Sequence, residues 1–425
     1  MRVLVYPHAT GIGGSQLNAV EIAAAVRDAG HHVIVVSRPG PLVDIIGQLG
    51  LPHVTLDERA SRRPSARAAA QLTELARSHR CDVVHGYEWP PGIEAFAGPG
   101  LRLRLPVICT VMSSSVAPFL PRTMPLIVGT SQIKDAAVGA GHPHVTLLEP
   151  PVDTRLNAPG EAAGSFASDL GLRAGPSAPP LVVIVSRLAP ELKLEGLLAA
   201  CDAAGELACG GTELQLAIVG DGQARPLVEQ AAELANARAG RTVVRLAGLM
   251  IDPRPAYRAA DIVVGMGGSA LRGMAFAKPV VVQGEHGFCE LVTARSAPVF
   301  ARQGFFGLGP PGQGRPEAAA KLAGILRALL ADPATRLALG QFSRSLVVSR
   351  YSLERAAELQ LAAYTQAVAA RQAVSGADLA ADAARAGLGV ARHKAVRKLR
   401  RWRGTAAADD FNTVARMRTG GLSRV

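Results

Sequence analysis

Charged and glycine-rich residues recur in this chain where an apolar run gives way to a loop. In "VSRLAPELKLEG", Arg187 and Lys193 follow such a run. Two cations just past a strand can grip a diphosphate, the guanidinium as a fork and the ammonium as a point charge. "IVGDG" puts Gly220 and Gly222 at the next strand end, and "GMGGSALRGMAFAKP" sets Gly267, Gly268 and Ser269 at the amino end of a short helix. Backbone N–H groups at a helix amino end attract anions. Arg272 follows in the first turns of that helix. Each feature alone has a plain account: a surface salt bridge, a turn, a cap. Three at successive strand ends of one sheet point to a phosphate-bearing ligand.

"GIGGSQ" (11–16) after the first apolar run is a weaker signal of the same kind, which a plain tight turn would also explain. It lacks the G-x-G-x-x-G spacing, and the second strand closes on "VVSRPG" without an acidic residue, so a dinucleotide cofactor is disfavoured.

The elements that must hold these residues follow from hydrophobic periodicity. Short continuous apolar runs at 2–6, 32–37, 81–86, 105–111 and 125–131 alternate with helical spacing such as 16–30. Runs of that kind are strands buried on both faces of a parallel sheet. A stretch rich in Asn, Pro, Gly, Ala and Ser spans 157–180, and a second set follows at 181–187, 214–222, 242–248, 260–266 and 279–284. Helices are expected at 316–332, 335–348 and 351–369. The fold class is α/β, with two Rossmann-like doubly wound domains whose ligands sit beyond the carboxyl ends of the strands. The expected organisation is an N-terminal domain over 1–165, a linker over 166–180, a C-terminal domain over 181–348, a long helix over 349–370 and a basic amphipathic tail over 371–425.

Composition agrees with two folded domains. The 425 residues exceed one ordinary core, and 48% hydrophobic against 19% charged residues with a mean hydropathy of +0.20 is globular. The start, "MRVLVYPHAT", reads as a first strand and not as a signal peptide, and no apolar run reaches spanning length. Five cysteines without a C-x-x-C pair fit reduced thiols, so a cytoplasmic protein is expected. Of the net charge of +12, twelve basic and four acidic residues lie from 371 onward, leaving +4 for the first 370 residues. Basicity belongs to the tail, and nucleic-acid binding by the whole protein is not implied. Within the tail, Leu388, Ala391, Ala395, Leu399 and Trp402 share one helical stripe among arginines and lysines. A basic amphipathic helix over 385–403 suits an anionic membrane surface, and a solvated helix resting on its own domain is the alternative. "DDFNTVARMR" (409–418) has no physical account.

The order of these motifs resembles the two-domain GT-B glycosyltransferases, in particular the large retaining group called family 4, over roughly residues 1 to 370. The marks are "GGSQLNAVEIAAAVRDAGHHV" (13–33), "EPPVDTRLN" (149–157), "VSRLAPELK", "LAIVGDG", "YRAADIVV" and "AFAKPVVV". The resemblance implies two domains facing across a cleft. It implies a nucleoside-diphosphate sugar as co-substrate, held mainly by the C-terminal half, and an acceptor that is a saccharide, a lipid-linked or a small molecule. Arg187 and Lys193 would neutralise the leaving diphosphate, and Gly13 and Gly14 would close over it. No cofactor and no metal are expected, since cations and helix ends stabilise the departing group. His85, Glu88 and Met112 would lie on the acceptor side, together with Glu290 of "GEHGFCELV".

The chain also departs from the family pattern. Lys193 stands one position later than the usual R-x-x-x-x-K spacing. The paired glutamates usual around the "GMGG" turn count onto Val264 and Arg272, so both carboxylates are missing, and Met112 stands where many members have a histidine. The expected activity is sugar transfer from the nucleotide donor with retention. A non-catalytic nucleotide- or sugar-binding protein is the alternative, and a nucleotide-sugar epimerase of the same fold a weaker one.

Overall fold

The computed structural model describes residues 1–8, 11, 13–56, 64–160, 164–403 and 411. The chain divides into two units, Met1–Pro151 with Leu353–Val425, and Val152–Ser352.

The first unit begins β1 (Arg2–Tyr6), α1 (Gly14–Asp28), β2 (His32–Ser37), α2 (Leu42–Gln48), β3 (His53–Thr55), α3 (Ala66–Ser78), β4 (Val83–Tyr87) and α4 (Trp89–Ala95). It continues with β5 (Val107–Val111), β6 (Leu126–Val128), α5 (Ser131–Gly139) and β7 (Val145–Leu147). The strands pair in the order β3-β2-β1-β4-β5-β6-β7, all parallel. Every residue of β4 and β5 is buried, as continuous apolar runs covered on both faces require. Chain order reverses between β1 and β4, so a crevice opens beyond their carboxyl ends.

The second unit holds α6 (Phe166–Asp169), β8 (Leu181–Val185), α7 (Leu194–Cys209), β9 (Gln215–Val219), α8 (Arg225–Ala239), β10 (Val244–Gly248), α9 (Arg254–Ala259) and β11 (Ile262–Gly265). Then come α10 (Gly268–Ala275), β12 (Val280–Gln283), β13 (Cys289–Leu291), α11 (Ala297–Gln303), α12 (Arg315–Ala331) and α13 (Pro333–Arg350). The sheet order is β10-β9-β8-β11-β12-β13, parallel except for β13. Here the reversal lies between β8 and β11. Small residues let α7 sit close to its neighbours: a Cβ on Gly205 would come within 3.0 Å of the Ala235 Cα on α8.

The expected domain boundaries need correction. Residues 152–180 are part of the second unit: Phe166 and Leu172 are buried in one of its cores beside Tyr257 and Val263. A loop that wraps its own domain has the composition of a linker, which is why 166–180 reads as one. Entry and exit are tied together, with Val152 N–H donating to Tyr351 O at 2.8 Å.

The chain then returns to the first unit as α14 (Leu353–Arg371) and α15 (Gly376–Trp402). Ser375 and Asp378 form a capping box that starts α15. Leu379 and Ala386 are buried, and the Asp382 carboxylate accepts from Thr123 N–H and Oγ, both at 2.7 Å. The front half of the expected basic tail is therefore packed on its own unit. The stripe is not: Leu388, Leu399 and Trp402 are 75%, 43% and 85% exposed. The segment 409–418 lies outside the described residues apart from Phe411. Among the described residues no helix is long and apolar enough to cross a membrane, and the five cysteines are unpaired.

Candidate functional site

In the second unit, Arg187 and Lys193 lie on the loop between β8 and α7, at the switch point. Arg187 is exposed and Lys193 half-buried. Neither side chain has a hydrogen bond or ion pair with a described residue, although the Lys193 and Arg187 carbonyls accept from Leu197 N–H and the Ser186 hydroxyl. Burial pushes the Lys193 ammonium down to about 8, the Arg187 charge adds to the fall, and Glu285 opposes it. An ammonium so placed gains from an anion in the same site.

Gly220 has a different task from the one expected. Its N–H donates to Gly248 O at 2.8 Å, so it is already engaged. Its φ is +140° and a Cβ there would meet Ser186 O at 1.9 Å, while one on Gly222 would meet Leu188 O at 2.5 Å. Leu188 N–H donates to Asp221 O and Ala224 N–H to Leu188 O. These glycines let two strand-end loops lie backbone to backbone, which sets the course of the chain at Arg187.

The turn after β11 is short, with only Met266 and Gly267 before α10. Gly267 has φ +55° and ψ −131°, a conformation that favours glycine, and its N–H donates to Phe305 O at 2.8 Å. The Ser269 hydroxyl is also engaged, donating to Met266 O and accepting from Met266 N–H. Gly267 and Ser269 therefore build the turn, and the Gly268 N–H has no partner among the described residues. Val264 is fully buried inside β11, so counting eight residues back from Arg272 ends in the core and not in the turn. The half-buried Arg272 runs back along α10: a Cβ on Gly268 would lie 3.3 Å from its Nη1. Its charge also acts on Tyr257, whose phenol burial pushes upward. With no acidic residue in its first turn, the amino end of α10 joins a guanidinium to a positive helix end.

In the first unit, α1 starts beyond β1 at Gly13, whose conformation is extended. Gly13 is half-buried and Gly14 is exposed with open space around it, as a backbone anion site requires.

His85 is not an acceptor-facing group. It is fully buried, with Nδ1 2.9 Å from the Tyr364 hydroxyl of α14 and Nε2 2.7 Å from Thr110 Oγ. Burial holds it neutral, down to about 3. Glu88, at φ +67°, is a brace: its Oε1 accepts from Met112 and Ser113 N–H at 2.9 and 3.1 Å, and its Oε2 from the Ser113 hydroxyl at 2.8 Å. That brace positions Met112, which is half-buried against Gly129.

Glu290 is exposed on the edge strand β13. The carboxylate that acts on Lys193 is Glu285, five residues earlier, whose Oε1 accepts from Leu192 N–H at 3.0 Å. Glu195 in turn accepts from His286 and Gly287 N–H at 3.1 and 2.6 Å. Both residues were missed in the sequence, where their only signal is acidity near Lys193 and in the glycine loop. Among the described residues no three His, Cys, Asp or Glu side chains gather as a metal would need.

Comparison with known proteins adds a likeness to this geometry. The model described as "Glycosyltransferase Family 4" matches residues 12–126, and "Glycosyl transferases group 1" matches residues 179–327. A 2-deoxystreptamine glucosyltransferase of Streptomyces kanamyceticus is 30% identical over 246 residues, which cover 55% of this chain and 58% of the relative. Among solved structures, a glycosyltransferase from Rickettsia africae superposes with a TM-score of 0.67 at 15% identity, covering 86% of this chain and 98% of that one. Anabaena HepE in complex with UDP superposes with a TM-score of 0.63 at 16% identity, covering 85% and 98%. A glycosyltransferase model thus matches a stretch of each unit, and the two-sheet fold is similar to that of these solved glycosyltransferase-like structures.

Proposed function

We propose that the protein transfers a sugar from a nucleoside-diphosphate donor to an acceptor, with retention and without a metal. The observation that carries this reading is the placement of Arg187, Lys193 and the amino end of α10, to which the Arg272 guanidinium runs back, beyond adjacent strands β8 and β11 at the switch point of one sheet. In the reaction the bond from the anomeric carbon to the diphosphate oxygen breaks, and its electron pair leaves with the diphosphate. The acceptor oxygen bonds to that carbon and releases its proton. Arg187 and Lys193 offset the charge that develops on the leaving group, where fixed cations lower the barrier most. UDP is the first nucleotide to test, because HepE is known in complex with UDP and with UDP-glucose.

Calorimetric titration with UDP, GDP, ADP and TDP tests the donor site, with the Arg187→Ala, Lys193→Ala double variant as control. Binding of one nucleotide that is lost in the variant supports the reading, and no binding by folded protein sinks it. A second reading, a binding protein without catalysis, draws on Arg272 and Met112 standing where a carboxylate and a histidine are usual. Nucleotide binding with neither donor hydrolysis nor transfer would favour it. An isomer formed from a nucleotide sugar alone would mark an epimerase instead.

We also propose that α15 rests on an anionic membrane surface. Exposed Leu388, Leu399 and Trp402 lie among exposed Arg392, Lys394, Lys398 and Arg401. An apolar stripe flanked by cations suits a headgroup layer. Sedimentation should show binding to phosphatidylglycerol vesicles but not to neutral ones, and loss in the Leu399→Ser, Trp402→Ser variant. Equal binding by that variant would remove the stripe from the interaction.

A further inference from the structure

The loop that carries Lys193 and the loop at 284–287 exchange carboxylates. Glu285 reaches across to Leu192 N–H, and Glu195, in the first turn of α7, reaches back to His286 and Gly287 N–H. Between them, Leu192 is held at φ +64°, a left-handed conformation that is strained for a leucine and persists only where neighbours impose it. That turn is where the chain departs from the usual lysine spacing. It sends the backbone into α7 with Lys193 as the N-cap. The second oxygen of Glu285 is buried and has no hydrogen-bond partner. A buried carboxylate oxygen left unpaired is costly, and it is retained where its charge is used.

Resting on the reading of Arg187 and Lys193 as the diphosphate grip, we propose that Glu285 is a positioning residue for Lys193. One oxygen fixes the left-handed turn that presents the ammonium, and the other keeps a negative charge facing it. Among the described residues, the charges that act on Lys193 are Arg187 and Glu285, with Glu191 and Glu195 near it in the chain. Arg187 stands on the loop after β8 and Glu285 on the loop after β12. Glu195 on α7 has both oxygens occupied by backbone N–H groups. Among the described residues, Glu285 is the one that opposes the loss of the Lys193 proton.

Two variants separate the two roles. Glu285→Gln keeps an oxygen for Leu192 N–H but removes the charge, whereas Glu285→Ala removes both. By calorimetry near neutral pH, Glu285→Ala should weaken nucleoside-diphosphate binding by about tenfold, and Glu285→Gln by no more than about threefold. Without the opposing carboxylate the ammonium deprotonates more easily, so in Glu285→Gln the decline of affinity with rising pH should begin at lower pH than in the wild type.

A second measurement needs no nucleotide: acetylation of Lys193 against pH, read by peptide mass spectrometry with exposed Lys394 as reference. The midpoint for Lys193 should lie below that of Lys394, and lower still in Glu285→Gln. Unchanged affinities, pH profile and labelling midpoint in both variants would overturn the proposal. A shifted midpoint in a protein that binds no nucleotide would uphold Glu285 as the positioning residue and overturn the donor-site reading instead.

Discussion

The two units present the same frame with opposite use of charge. At the switch point of the first, between β1 and β4, the titratable groups are spent on the protein itself. His85 is neutral between Tyr364 and Thr110, and Glu88 is committed to the loop at 112–113. What that end offers a ligand is backbone, at Gly13 and Gly14. At the switch point of the second, between β8 and β11, the Arg187 and Lys193 side chains have no hydrogen-bond or ion-pair partner among the described residues, and Gly220, Gly222 and Gly267 are spent on packing. The shared strand order around each switch point therefore says where a ligand sits in each unit but not what it is. The side chains left without protein partners say that.

Removing the cations tests the contrast most severely. Each charge-assisted contact is worth roughly 1.5–3 kcal/mol, so the Arg187→Ala, Lys193→Ala variant should lose about two to four decades of nucleotide affinity. Undiminished binding would mean that the charge difference between the units does not mark the donor side.

The glycines sharpen the contrast next. Gly220→Ala would set a Cβ 1.9 Å from Ser186 O, so denaturant unfolding should show a loss of roughly 2–4 kcal/mol with displaced Arg187. Gly14→Ala meets open space at the start of α1 and should change stability by less than about 1 kcal/mol. Equal costs at the two positions would erase the distinction between packing and exposed glycines.

His85 gives a pH signature confined to the first unit. Its folded value of about 3 lies below the ordinary 6.5, so the unfolded chain binds the extra proton between those values. The stability it contributes is fully present above about pH 6.5 and falls as the pH drops toward 3, amounting to about 2 kcal/mol lost by pH 5. His85→Gln should flatten that slope while leaving nucleotide affinity unchanged. A changed affinity would return His85 to the site.

The smallest effect belongs to Lys193. Its ammonium is charged below about 8, so diphosphate affinity should hold at lower pH and decline through that value by up to about tenfold. A flat titration from pH 7 to 9 would remove Lys193 from the grip.

Much of this was legible in the sequence because its signal is local. An apolar run followed by a charge places Arg187 at a strand end without knowledge of any other residue. The failures are long-range. His85 reads as a strand-end group facing a ligand, yet its burial depends on Tyr364, 279 residues later. Glu285 and Leu192 are 93 residues apart, so nothing in "GEHGF" announces the clasp. Val264 was reached by counting, which assumes a turn of the usual length. The Pro-rich stretch after 157 carried the composition of a linker because linkers and domain-wrapping loops are both solvated and irregular.

The return of the chain to its first unit imposes an order on synthesis. Residues 152–352 leave the ribosome as one uninterrupted stretch, whereas the sheet begun at Arg2 waits for α14 to cover it. At about 5–20 residues per second, His85 precedes its Tyr364 partner by roughly 15 to 55 seconds. The second unit can therefore be complete while the first still exposes an apolar face. A stalled chain ending near residue 352 would be a protein with one finished half and one half dependent on chaperones.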